Sequence, residues 1–335
     1  MSKQTIPEIL TEGVREHQAV QAWLQIQSGS WEPGSLEVLQ QRRYSTVYRL
    51  KQVKQEGARV IAKRCRIAKA RIEQTIYQEL MPLTKMPALC CYGLLEEPDG
   101  EFCWLFLEDA AGVRYSPHLP HNRALAGRWL AEIQLAAMSA GLRSCLPDRE
   151  LDHYLRLLRA CRATLLAQLG CGAFSAEDAA LLRNIAAHLD ALESRWGEVE
   201  KICEVMPRTL VHGDFVTKNL RIRAAAASPA LLVFDWEFAG WGVPATDLAQ
   251  FIDRVASPDL SLYCSIFGEQ THLDLRDIQA VAACGNLLRM IDQISWATAG
   301  QEFVFPAKLV KTISLLRSYE SSILGALRAF ERSWA

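Results

Sequence analysis

Leu210-Val-His-Gly-Asp-Phe-Val-Thr-Lys-Asn219, followed by Leu231-Leu-Val-Phe-Asp-Trp-Glu237, is the part of this 335-residue chain from which the fold can be read. It sets one carboxylate, Asp214, five residues before the side-chain amide of Asn219, on a loop that leaves the apolar run Thr209-Leu210-Val211. A second carboxylate, Asp235, ends the next apolar run. Residues 219–223 read as a strand, 224–230 as a turn containing Pro229, and 231–234 as the returning strand. A hairpin brings its two ends together, so Asp235 is expected beside Asn219. Three oxygen-bearing side chains then converge on one place, a donor set suited to a hard cation carrying phosphates. Taken singly, each is an ordinary turn former. The joint spacing, continued by Gly240-Trp-Gly-Val-Pro-Ala-Thr-Asp-Leu-Ala249, points instead to phosphoryl transfer. In such sites one Asp orients the attacking hydroxyl while an Asn and another Asp hold magnesium.

A site of this kind also needs a cation to neutralise the donor phosphates and an anion to fix that cation. Val60-Ile-Ala-Lys63 offers a lysine at the end of a short apolar strand, and the helix that follows offers Glu73, with Glu79 as runner-up. Around them the chain reads as short β-like runs at 36–39, 46–50, 60–63, 88–93 and 102–107, with one helix at 69–83 and a turn at Pro98-Asp-Gly100. A helix over 6–26 precedes them, outside the sheet, and ends at a breaker over 29–34. Beyond Gly112 the periodicity is helical, at 124–139, 151–169, 177–196 and 306–333. These apolar stripes read as core faces.

Half the residues are hydrophobic and the net charge is −1, which excludes disorder and a global polyanion-binding surface. The charge is nevertheless uneven: residues 42–71 hold eleven Lys/Arg against one acid, Glu56. That excess suits a phosphate donor, with a cationic acceptor for the acidic remainder; the plainer reading is a solvated strand face. The ten cysteines show no CxxC or metal-ligand spacing, and Met1-Ser-Lys-Gln-Thr-Ile-Pro lacks the apolar core of a signal peptide. The thiols are therefore expected to be reduced packing residues of a cytoplasmic protein, among them Cys90, Cys91, Cys161 and Cys171. No apolar run reaches the roughly 18 to 20 residues needed to span a bilayer.

The ordered set Lys63, Glu73, Leu107-Glu-Asp-Ala-Ala-Gly112, His212-Gly-Asp214, Asn219, Asp235-Trp-Glu237 and Asp247-Leu-Ala249 resembles the aminoglycoside phosphotransferase and choline kinase-like family over most of the chain, roughly 36–252. The resemblance implies an α+β, bilobal protein-kinase-like fold, with a small β-rich lobe and a larger helical one. Its boundaries would be an N-terminal helical extension over 1–35, a nucleotide-binding lobe over 36–107, a hinge over 108–113 and a helical lobe over 114–335. The helical lobe would hold a catalytic loop at 210–220 and a metal-binding segment at 231–242. ATP, with GTP as an open alternative, would lie near Glu108. Asp214 would be the base or hydroxyl-orienting group, Asn219 and Asp235 the Mg2+ ligands, and Lys63 the phosphate contact with Glu73 as its partner. His212 and Asp247 would brace the loop.

Two departures stand out. The segment expected over the phosphates, Gln40 to Tyr48, contains no glycine, so the hydroxyls of Ser45 and Thr46, or Arg43, would have to take the place of close backbone N–H groups. Lys218, directly before Asn219, is expected to face solvent, with an approach to the transferred phosphoryl group as the alternative. The acceptor is expected near Asp214, Glu237 and Trp241, where aromatic rings beside carboxylates favour a small amine, while Trp236 reads as core. Amino alcohols, sugars, aminoglycosides and specialised-metabolite intermediates are all compatible with it. The contrasting reading is a nucleotide-binding regulator with weak or no transferase activity. A peptide kinase lacks its Ala-Pro-Glu segment here, and no nucleic-acid or membrane partner is expected.

Overall fold

The computed structural model describes residues 8–27, 32–52, 58–170, 174–224, 229–252, 254–298 and 306–334. The expected helix start at Ile6, Gly29, Glu56 and Cys171 lie outside them. The chain divides into two compact units: Met1–Arg114 with Asn219–Phe238, and Tyr115–Lys218 with Ala239–Ala335.

Unit 1 is built on a six-stranded antiparallel sheet of order β1-β2-β3-β4-β6-β5. Its strands are β1 (Ile9–Leu10), β2 (Ser35–Arg42), β3 (Ser45–Lys51), β4 (Arg59–Arg66), β5 (Cys91–Glu96) and β6 (Phe102–Glu108). The helix expected over 6–26 begins only at Gln18. Ile9 and Leu10 pair with Leu36 and Glu37 as an edge strand, and α1 is Gln18–Ile26. Nor does α1 stand apart from the sheet. Its Val20 and Trp23 join Leu36, Leu50, Val60, Ala62, Trp104 and Phe106 in one buried cluster, with Trp23 edge-on to Tyr92. Burying two tryptophans and a phenylalanine contributes several kcal/mol, at about 25 cal/mol per Å² of apolar surface. This is what binds the N-terminal segment to the sheet.

Strand alternation then decides where Lys63 goes. Val60 and Ala62 on β4 turn toward that cluster, so Lys63 falls on the opposite face. On β4's far side in sequence comes α2 (Ile67–Thr75). The helix expected as continuous over 69–83 keeps α geometry only to Thr75; Ile76–Leu80 is wound more widely, and Met81–Leu83 more tightly, around Pro82. A second sheet of order β11-β10-β7 joins β7 (Val113–Arg114), β10 (Leu220–Arg223) and β11 (Ala230–Val233). Gly112, at φ +81°, enters β7 where any Cβ would run into the carbonyl of Ile222.

Unit 2 is mainly helical. Its helices are α3 (Pro120–Ala140), α4 (Leu151–Leu169), α5 (Ala176–Ser194), α6 (Trp196–Glu204), the short α7 (Leu260–Tyr263) and α8 (Glu269–Thr271), α9 (Leu275–Thr298) and α10 (Pro306–Trp334). A small sheet sets β12 (Gly240–Gly242) antiparallel to β9 (Thr209–Val211) and parallel to β8 (Asp148–Arg149). The sequence reading leaves 275–298 unassigned, for a physical reason. Ile278, Val281, Leu287, Leu288, Met290, Ile291 and Ile294 are buried, and so are Asn286, Arg289, Asp292 and Gln293, so α9 is buried around its circumference and shows no narrow apolar stripe against a solvated face.

One glycine sets how closely α9 approaches the turn Pro244–Leu248. A Cβ on Gly285 would overlap the carbonyl of Ala245. Gly285→Ala gains helix propensity of roughly 0.5–1 kcal/mol, but the clash is with rigid backbone and should cost more, about 1–3 kcal/mol. Urea unfolding should show the midpoint falling; an unchanged midpoint would mean that the helix shifts freely.

Candidate active site

In unit 1 the buried Lys63 ammonium donates to Glu73 Oε1 and to Asp235 Oδ1, each at 2.6 Å, and lies 3.2 Å from Glu237 Oε2. Burial opposes the charged ammonium, yet Glu73, Asp235 and Glu237 outweigh it and hold its pKa well above the ordinary lysine value. Three carboxylates about one ammonium leave an excess of negative charge. Burial raises the carboxyl of Glu73 to about 7; Lys63 counters this in part, and Asp235 adds to it. Ligand oxygens of Glu73, Asp235 and Glu237 all lie within 4.8 Å of one another, an all-oxygen anionic set that fits a hard divalent cation. Glu237, expected on the acceptor side, thus stands with Lys63, and its backbone carbonyl accepts from Lys69 Nζ at 2.8 Å.

Hairpin geometry delivers Asp235 to this place. Leu220 pairs with Val233, and the Phe234 N–H donates to the Asn219 carbonyl at 3.1 Å, so Asp235 follows directly on the end of the ladder beside Asn219. Asp235 has φ +69°, in the left-handed region that non-glycine residues seldom occupy. Asn219 is buried. The glycine-free segment is a tight β2–β3 hairpin with Arg43 and Tyr44 at its turn. Ser45 and Thr46 sit in the ladder opposite Arg42 and Gln41. Glu108 pairs with Arg223 at 2.8 Å and accepts from the Cys90 N–H at 3.1 Å.

Most of the basic stretch meets acids of its own unit. Arg49 pairs with Glu37 and Asp109, Lys51 with Glu37, Arg64 with Glu97, Arg66 with Glu101 and Arg71 with Glu96. Part of its positive excess is thereby neutralised within the unit. Cys90 is exposed and Cys91 half-buried, against the expectation that both pack inside; Cys161 is buried. No cysteine among the described residues forms a disulfide.

In unit 2 the His212-Gly-Asp214 loop is held on both sides of one residue, Gly213. Asp247, in the Pro244–Leu248 turn, accepts from the N–H groups of His212 (2.7 Å) and Gly213 (3.1 Å). Arg289 of α9 donates to the Gly213 carbonyl at 3.0 Å and to Asp214 Oδ1 at 2.6 Å. Gly213 has φ +73°, which only glycine adopts without strain. His212 Nδ1 accepts from the Asp214 N–H at 3.2 Å, which places the neutral ring's proton on Nε2. Lys218 Nζ lies 2.9 Å from Asp214 Oδ2, so this residue, expected to face solvent, lays its head on the carboxylate. Burial alone would raise the Asp214 carboxyl, but Arg289 and Lys218 outweigh it and hold it below the ordinary aspartate value. Trp241 is half-buried on β12, paired with Leu210 and Asp148, and Trp236, in unit 1, is fully buried.

Sequence reading missed Arg289 and the buried pair Arg149–Asp292, 3.2 Å apart. A signal was present: Asn286, Arg289 and Asp292–Gln293 recur every three or four residues through an otherwise apolar segment, which places them on one side of a helix.

An antiparallel sheet with a buried Lys–Glu pair, and a helical unit with an Asp on a braced loop, define the protein-kinase-like class of α+β folds. A family model described as the phosphotransferase enzyme family matches residues 36–284, and the chain belongs to that family. Its class of reaction is accordingly phosphoryl transfer to a hydroxyl group. No curated protein matches the sequence. Among solved structures, APH(2″)-IIia in complex with GDP and kanamycin is similar with a TM-score of 0.61 at 15% identity, over 89% of this chain and 97% of that one. APH(9)-Ia with ADP and spectinomycin gives 0.61 at 10% identity, over 92% and 97%. The Plasmodium vivax ethanolamine kinase gives 0.55 at 13%, over 87% and 82%. At such identities the likeness carries the fold alone. No helix among the described residues is long and apolar enough to cross a membrane.

The brace on the loop is open to test. Burial pushes Asp247 up to about 7, although its two backbone N–H bonds and then Arg149 and Arg289 pull the other way. Asp247→Asn replaces one accepting oxygen with an N–H facing an N–H and should cost about 1–3 kcal/mol in denaturant unfolding. Because the folded value stands above the ordinary 3.8, the carboxyl's contribution is fully present near pH 4 and is lost as pH rises through 7. The gap to Asp247→Asn should therefore narrow from pH 4 to 7; a widening gap would contradict the assignment.

Proposed function

We propose that the protein is an ATP- and Mg2+-dependent kinase of a small-molecule hydroxyl, the acceptor being an amine-containing or sugar-like compound. The observation that carries this reading is the clasp of Lys63 by Glu73 and Asp235, residues far apart in sequence that meet at 2.6 Å. A buried ammonium on a strand, fixed by a helical glutamate, is the arrangement that phosphate-binding lysines of kinase-type sites require. In this reading Asn219 and Asp235, supported by Glu237, would hold Mg2+, which when bound neutralises charge on the donor phosphates. Ser45 and Thr46 offer hydroxyls to the same phosphates, and Glu108 ends the strand that leads into the 108–113 hinge.

Asp214 takes the part of the hydroxyl-orienting base. The acceptor oxygen forms a bond to the γ-phosphorus, the bond from that phosphorus to the β,γ-bridging oxygen breaks, and the nucleoside diphosphate departs with the electron pair. The hydroxyl proton passes to Asp214. A carboxylate held low by Arg289 and Lys218 is a weak base but stays ionised at neutral pH, which suits a reaction whose proton moves late. The amine preference rests on the structures with kanamycin, spectinomycin and an ethanolamine kinase assignment, all in proteins of the same fold.

Mass detection of an added phosphate across amino alcohols, sugars and aminoglycosides, with ATP and GTP in parallel, tests the reading. Asp214→Asn should lower kcat by about 10²–10⁴-fold while nucleotide affinity holds within about twofold, since its role is with the acceptor. Asp235→Asn should instead abolish the Mg2+-dependent part of the thermal shift produced by nucleotide. Nucleotide binding without transfer to any acceptor would favour the regulatory alternative. Undiminished turnover by Asp214→Asn would remove the proposed base.

A further inference from the structure

Asp214 presents two oxygens, and the structure treats them differently. Oδ1 is taken by Arg289 at 2.6 Å from inside unit 2, by a side chain only 5% exposed. Oδ2 faces Lys218 at 2.9 Å, from a side chain 53% exposed. The first contact is a buried, charge-assisted bond from a planar fork whose other arm holds the Gly213 carbonyl at 3.0 Å. Gripping adjacent residues at once, that fork fixes both the turn of the loop and the rotation of the carboxylate. The second contact reaches the buried carboxylate from a half-exposed side chain, whose head can return to water where the buried guanidinium cannot.

We propose that Arg289 is a positioning residue of the transfer reaction: it anchors Asp214 through Oδ1 and leaves Oδ2 as the oxygen that meets the acceptor hydroxyl, with Lys218 displaced from it on binding. This rests on the reading of Asp214 as the acceptor's base. α9 is built for the task. Gly285 lets the helix lie against the Ala245 carbonyl, and Arg289, four residues on and so on the same face, reaches the loop. Trp296, two turns further, lies under the guanidinium, whose carbon is 4.8 Å from the ring centroid. A lysine could not serve, since a point charge cannot hold a carbonyl and a carboxylate through separate nitrogens in one plane. Stability alone does not account for the residue either. A buried ion pair repays its desolvation poorly, and Arg289 Nε is buried with no hydrogen-bond partner among the described residues.

The experiment follows phosphate release from MgATP and MgGTP with water as the acceptor, so that no substrate need be known. It uses the full chain and the variants Arg289→Lys, Arg289→Met, Asp214→Asn and the Arg289→Lys/Asp214→Asn pair. Arg289→Lys keeps the buried charge and guards against a Met variant that fails to fold. Arg289→Lys should lower kcat about 10–100-fold, as a misplaced reacting group does, with KM for nucleotide within about twofold. Its effect should vanish on the Asp214→Asn background, because a residue that acts through another has nothing left to act on. Multiplying losses in the pair, or a Lys variant with wild-type kcat, would overturn the proposal while leaving Asp214 in place. Full turnover by Asp214→Asn would overturn the base assignment beneath it, and so would a wild-type chain that releases phosphate from neither nucleotide.

Discussion

The Lys63 ammonium lies in the interior of unit 1, where an unpaired charge would cost several kcal/mol, and everything around it follows from the need to compensate that charge. Glu73 comes from α2, a few residues later in the chain. Asp235 and Glu237 come from the far side of a hairpin that returns to this unit after the whole stretch 115–218 has folded elsewhere. A surface lysine in the same strand would leave α2 and the 231–237 segment with no reason to converge. The same three carboxylates outnumber the single positive charge they surround, which is the feature the proposed cation site rests on.

Unit 2 solves a different problem, the presentation of one carboxylate at a fixed angle. Asp247 and Arg289 grip Gly213 by its N–H and its C=O, and the left-handed glycine between them turns the chain so that Asp214 emerges from the brace. Both grips depend on Gly285, which lets α9 lie directly on the turn that carries Asp247. The charge on Asp214 is thereby set by burial against two cations, and the cations prevail. In the proposed reaction such an anion would orient the acceptor hydroxyl and take its proton only as the developing phosphoryl bond makes that proton acidic.

How much of this was legible depended on whether the determinant was local. The spacing of Asp214, Asn219 and Asp235, the strand end at Lys63 and the helical placement of Glu73 are written in consecutive residues, and hairpin and strand alternation translate them into positions. Trp236 is core, as its sequence context suggests, while Glu237 beside it faces Lys63, a partner that the acid-next-to-tryptophan pattern does not encode. The basic stretch shows no partners in its own sequence because its acids, Glu37, Glu96, Glu97, Glu101 and Asp109, lie at other places in the chain and meet it only in the folded unit. The N-terminal segment looked detached because a helix period over a few apolar residues says nothing about which sheet it will cover.

By itself, then, the amino-acid sequence determined the class of fold and the order of its charged loop and hairpin, since motif spacing and local periodicity are enough to specify strands, a hairpin and a charged loop. Only the tertiary structure decided which charge each of those residues faces. Arg289 and Lys218 on Asp214, and three carboxylates on Lys63, are pairings over distances in sequence that no local rule encodes. They are selected because a charge withdrawn from water must find its partner wherever the packed chain happens to bring one.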